Sequence, residues 1–152
     1  MNTGYQTRVA RVLAGCLGAI ALLTISPVVP ADDRHPDPRV NLGFTAEEKA
    51  VFLGDMRRML GSVQQILRGI SEQDREAIAA AAKASGNRMA RNTPASVRAK
   101  TPPAFKAIGG PMHLAFEEIA IRAETDPLED LTALTAEAMN QCMACHAQFR
   151  VD

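Results

Sequence analysis

From position 52 the chain repeats apolar residues at alternating steps of four and three: Phe52, Met56, Met59, Val63, Ile66 and Ile70, with Leu53, Leu60 and Leu67 beside them. That period is close to one helical turn and puts the apolar positions on one face. Thr45-Ala46-Glu47-Glu48, just ahead, has the form of a capping box, in which the hydroxyl and the carboxylate satisfy each other's free backbone N–H groups. The spacing therefore predicts a first helix from Thr45 to about Gly69. Ser71 is the expected cap of a second helix, an alanine-rich run over 72–85 that stops at Gly86. Pro94, Pro102, Pro103 and the pair Gly109-Gly110 predict a long connection over 87–111, with a short helix at 95–100. Pro111 suits the first turn of a third helix, carried by His113, Phe116, Ile119 and Ala120 to about Ala123. Asp126 is the expected cap of a fourth, with Pro127 at its first position and an inner face of Leu128, Leu131, Leu134, Ala138, Cys142, Cys145 and Phe149. The fold class read from this pattern is all-α, an antiparallel four-helix bundle. In that topology the end of the fourth helix lies near the first half of the first, so residues from Phe52 to Leu60 should cover whatever the fourth helix carries.

Composition agrees with helices. There is no Trp, the single Tyr is Tyr5, and Ala and Leu are frequent. The first 31 residues read as a secretory signal peptide: Arg8 and Arg11 form a positive end, residues 12–25 carry no charge, and Val29-Pro30-Ala31 offers a small residue for cleavage. Leu13-Ala14-Gly15-Cys16 has the letters of a lipoprotein box, but most of the apolar run follows it, so Cys16 is read as part of the discarded peptide. Removing 31 of 152 residues leaves 121, a size that suits one domain, and no membrane span is expected after cleavage. The signal holds two of the 17 basic residues and none of the 17 acidic ones, so the mature chain carries 15 basic against 17 acidic groups. That balance gives no pull toward nucleic acid or an anionic membrane surface. Residues 32–44, with His35, Pro36 and Pro38, lack periodicity and read as a flexible N-terminal arm, which leaves 45–152 as the helical domain.

The chemistry sits near the C-terminus, in Cys142-Met143-Ala144-Cys145-His146. Cys-x-x-Cys-His is the attachment signature of a c-type haem. Two thiols one turn apart on a helix face can add to the two vinyl groups of one porphyrin, and the next imidazole can serve as the proximal iron ligand. A thioredoxin-like redox pair would need the cysteines at a helix N-terminus after a strand, whereas here they close a helical pattern. A structural zinc site wants four ligands, and only His35 and His113 remain to join these three. A disulfide between residues three apart would close almost no loop. Export to an oxidising compartment, the periplasm of a bacterium, is also where such haem attachment takes place.

The run Cys142-Met143-Ala144-Cys145-His146-Ala147-Gln148-Phe149-Arg150 at the C-terminal end resembles that of class II c-type cytochromes, the cytochrome c′ and cytochrome c556 group. Leu67-Arg68-Gly69 followed by Asp74 resembles the end of that family's first helix, and Pro103-Ala104-Phe105 its mid-chain loop. The resemblance spans roughly 45–150. It implies a four-helix bundle, often a homodimer, with one covalent haem c held through Cys142 and Cys145 and ligated by His146. A gapless count back from Gly69 puts the family's distal position on Leu53, which in a five-coordinate cytochrome c′ blocks the open face. A small change of register brings Met56 there instead, as the sixth ligand of the cytochrome c556 type. Arg150 matches the arginine beside the proximal histidine, and Lys49 falls where a basic residue approaches the haem edge.

Each of these has a plainer reading. Met59 and His113 are further candidates for the sixth iron ligand, but Met56 and Met59 at bundle spacing also read as ordinary core residues, His113 as a satisfied or exposed histidine, and Lys49, Arg57 and Arg58 as a solvated face that can also pair with a haem propionate. Arg150 complements the helix dipole. The functional expectation is a periplasmic electron carrier working with redox partner proteins. The alternative is a five-coordinate protein that binds nitric oxide or carbon monoxide, and a third reading is a haem subunit of a larger complex. No convergent set of acids, bases or nucleophiles points to an enzyme.

Overall fold

Thr45 starts the first helix, α1 (Ala46–Glu72), through a complete capping box: its backbone N–H donates to Glu48 Oε2 at 2.9 Å, and its hydroxyl accepts from the Glu48 N–H at 3.3 Å. The computed structural model describes residues 36–152, of which Asp37–Asp152 form one unit. The expected signal peptide, residues 32–35 and His35 lie outside the described residues. The described chain is mostly helical, with one pair of two-residue parallel strands.

α1 ends at Gln73, whose backbone is left-handed (φ 57°), and α2 (Arg75–Ser85) follows at once. The expected cap Ser71 lies inside the last turn of α1. Asp74 caps α2 instead, its carboxylate accepting from the Ala77 N–H at 2.9 Å, while its own N–H reaches back to the Gly69 carbonyl at 2.8 Å. So tight a turn brings α2 onto α1. A Cβ on Gly69 would stand 2.7 Å from Ile78 Cγ1, so only glycine fits there.

The expected long connection is largely helical: α3 (Asn87–Asn92), α4 (Ala95–Lys100) and then α5 (Pro103–Arg122). α4 lies at the expected positions. α5 begins eight residues earlier than its expected start at Pro111, which sits inside the helix. Pro103 takes the first turn, where a missing N–H is harmless. An internal proline costs about 3 kcal/mol, but Met112, Phe116, Ile119 and Ala120 are all buried beyond it. At roughly 1.5–3 kcal/mol for each large side chain, that burial outweighs the break.

Arg75 donates to the carbonyls of Ala123 and Asp126, both at 2.8 Å, and so satisfies the end of α5 and the turn after it. Asp126, the expected cap of the next helix, instead takes Arg122 Nε at 2.5 Å. α6 (Leu128–Gln148) starts after Pro127 without a side-chain cap. α1 packs on α2, α2 on α5, α5 on α6, and α1 meets α6. Their shared core holds Ile66, Ile78, Phe116, Ile119 and Leu131, all fully buried. The hydroxyls of Ser62 and Ser85 pair inside it at 2.8 Å, so neither is left unsatisfied.

The arm does not stay free from Asp37 onward. β1 (Val40–Asn41) pairs in parallel with β2 (Phe149–Arg150), Val40 opposite Phe149 and Asn41 opposite Arg150. Leu42 is buried and donates to the Arg150 carbonyl at 3.0 Å. Phe149, expected on the inner helix face, is buried but belongs to β2. A ladder this short has no period to read, so the sequence alone shows only an aperiodic segment. Among the described residues no helix is long and apolar enough to cross a membrane.

Candidate functional site

The last turns of α6 carry Cys142, Cys145 and His146, and the α1 face opposite them carries Phe52, Leu53 and Met56. A cavity of about 260 Å³ separates the two. Cys145, His146, Phe149, Arg150 and Val151 line it from the C-terminal segment, Phe52, Leu53 and Met56 from α1, Phe105 from α5, and Arg39 and Leu42 from the arm. Residues separated by about 90 positions in sequence thus share one space.

Aromatic rings form much of the wall. Phe44, Phe52, Phe105 and Phe149, four of the chain's five phenylalanines, make a continuous run with ring centroids 5.0, 5.9 and 5.4 Å apart. The tilted and edge-on angles are those that aromatic pairs favour. Phe105 bridges the start of α5 to the end of α6 and also lines a second cavity.

The second cavity, about 240 Å³, is lined by Met59, Met89, Val97, Met112 and His113 among others. Phe52, Met56 and Phe105 line both. Each space falls below the ~300–1,000 Å³ of common ligand sites. Cys145 opens on the first cavity, while Cys142 Sγ lies 3.9 Å from Met112 Sδ, a wall of the second.

Both thiols are free and half-buried. Burial pushes the Cys142 thiol above its ordinary range. Burial, with the neighbouring Cys142 second, pushes Cys145 up to about 11. A redox-active pair needs the opposite shift, toward thiolate. No group of three or more His, Cys, Asp or Glu side chains converges among the described residues, so a closed zinc site has no donor set there.

The structure brings Cys145, His146, Arg150, Leu53 and Met56 to one cavity, with Cys142 on the same helix end. Met59 and His113 line only the second. His113 Nδ1 is 2.7 Å from the Ser85 carbonyl, so that nitrogen carries the proton. Lys49 borders neither cavity, Arg57 is exposed, and Arg58 is exposed and pairs with Asp55. Sequence reasoning missed Arg39 and Leu42, which lie in the aperiodic arm, and gave Phe105 no role in the site because it sits among prolines. The alternation of phenylalanines at 44, 52, 105 and 149 carries no local period.

The chain matches no protein-family model, no curated protein and no solved structure.

Proposed function

We propose that this chain is an exported c-type cytochrome, an antiparallel four-helix bundle whose last helix holds one covalent haem and which exchanges electrons with redox protein partners in the periplasm. The observation that carries the reading is that Cys145 and His146 of the Cys-x-x-Cys-His run line an apolar, aromatic-lined cavity that also receives Leu53 and Met56 from the first helix, with Cys142 one turn earlier on the same helix end. The residues fit the group. Cys142 and Cys145 would hold it as thioethers, and His146 would ligate its iron. When bound, it supplies a one-electron iron couple.

The rest of the chemistry belongs to the chain. Phe52, Phe105 and Phe149 give the cavity apolar aromatic walls, and such a surround would limit the rearrangement that accompanies a change of charge. Met56 offers a thioether to the same cavity as His146, and methionine ligation raises the potential of a haem iron. Arg39 and Arg150 set two guanidinium groups at an otherwise apolar rim.

Leu53 favours a second reading, because it faces the same cavity as Met56. With Leu53 and not Met56 opposite His146, the sixth position stays open and the protein binds nitric oxide or carbon monoxide. Absorption spectra of the mature protein, oxidised and reduced, with and without carbon monoxide, separate the two. Sharp reduced bands that ignore the gas support the carrier. Broad bands that sharpen with it support gas binding, and the absence of a haem spectrum overturns both.

A further inference from the structure

The carbonyls in the last turn of a helix lack helical donors and take partners from elsewhere. In α6 the final backbone bond runs from the Phe149 N–H to the Cys145 carbonyl. The chain then turns extended (φ −127°, ψ 151° at Phe149), so the helix does not continue past His146 by another turn. The His146 carbonyl accepts instead from Arg39 Nη1 at 3.2 Å, a residue 107 positions earlier.

Arg39 is itself held. Its Nε and Nη2 reach the Asp37 carboxylate at 3.0 and 2.6 Å, a two-pronged contact that fixes the plane of the guanidinium. Its carbonyl accepts from Arg150 Nε at 3.3 Å, and the β1–β2 ladder ties the backbones together alongside. Arg39 thus holds the backbone of His146, and Arg150 holds the backbone of Arg39. The charges around the contact are Asp37, Arg39, Arg150 and Asp152, the last paired with Arg150. Arg39 and Arg150 also line the cavity that His146 borders.

We propose that Arg39 is a positioning residue for His146, delivered by the N-terminal arm, and that the Asp37–Arg39 pair sets the charge felt at the imidazole. The inference rests on the haem reading above. It makes the arm a working part of the site. A cation held at the histidine backbone disfavours the ferric state, and the adjacent carboxylate offsets part of that effect.

The two members of the pair therefore act with opposite sign, which a loss of packing alone does not do. In the haem-loaded, exported protein, Arg39→Ala lowers the midpoint potential and shifts the paramagnetic proton resonances of the His146 ring. Asp37→Asn raises the potential. Arg39→Lys keeps the charge and so holds the potential closer to wild type than Arg39→Ala does, although it gives up the two-pronged contact with Asp37. If Arg39→Ala fails to accumulate, the rise with Asp37→Asn and the retention with Arg39→Lys carry the test. Potentials that move the same way in both variants, or not at all, with haem attached throughout, overturn this inference alone. Wild-type protein without covalent haem overturns the reading of the site itself.

Discussion

The ring of Phe105, at the start of α5, meets the ring of Phe149, just past the end of α6, edge-on with centroids 5.4 Å apart. The pair closes the wall common to α1, α5 and the C-terminal segment, and Phe105 lines both cavities. Full truncation of a core phenylalanine costs about 3–5 kcal/mol. Phe105 is only half-buried, so Phe105→Ala should cost less than that, about 2 kcal/mol in urea unfolding of the protein. A change below about 0.5 kcal/mol would show that the aromatic run is a surface feature.

Gly69 tests the contact between α1 and α2. Alanine is the better helix former by about 1 kcal/mol, so on an open helix Gly69→Ala would stabilise. Here the added methyl meets Ile78 Cγ1 at 2.7 Å and the Asp74 carbonyl oxygen at 3.1 Å. Overpacking of that kind costs about 1–3 kcal/mol, and the net change in unfolding free energy should be a loss. A gain would mean that the two helices stand further apart than described.

Asp37 gives a pH signature for the arm. Its hydrogen bonds with Arg39 hold its carboxyl down from the ordinary 3.8 to about 2. A depressed acid contributes stability that is fully present above its unfolded value and lost as pH falls through the folded one. The arm contact should therefore survive at pH 4 and weaken only between about 3.8 and 2. Carbon-detected NMR titration of the Asp37 carboxyl should give a midpoint near 2. A midpoint near 3.8 would mean that the Asp37–Arg39 contact does not form.

Met56 and Met59 separate by location. Met56 shares the cavity of His146, and Met59 does not. On the electron-carrier reading, Met56→Ala turns a low-spin absorption spectrum into a high-spin one while haem stays attached, and Met59→Ala leaves the spin state unchanged. A Met56→Ala protein that stays low-spin would rule out Met56 as the sixth ligand and require another donor, Met59 or His113; a wild type that is already high-spin would leave Leu53 opposite His146.

Much of the helical fold is legible in the sequence because the signals are local. Thr45 and Glu48 form the capping box that their spacing announces, and the stripe from Phe52 to Ile70 lies where its period puts it, with Met59, Val63 and Ile66 buried. The failures are also local. Ser71 and Asp74 are both good cap residues three positions apart, and only the turn at Gln73 selects the second. Gly109-Gly110-Pro111 reads as a helix start, yet the burial of Phe116 and Ile119 on α5 carries the helix through it. For the site, Cys142, Cys145 and His146 stand out because their spacing is short and chemically specific. Arg39 and Leu42 do not, because a two-residue strand pairing across the whole chain leaves no mark that a window of sequence can show.

Covalent attachment is the central claim, and acid–acetone extraction tests it most directly. Wild-type protein, exported by a strain that matures c-type cytochromes, is predicted to keep its haem absorbance in the precipitated polypeptide, and the Cys142→Ala/Cys145→Ala variant to lose it. Haem that leaves the wild-type chain with the solvent, or that stays with the variant lacking both thiols, would contradict the account.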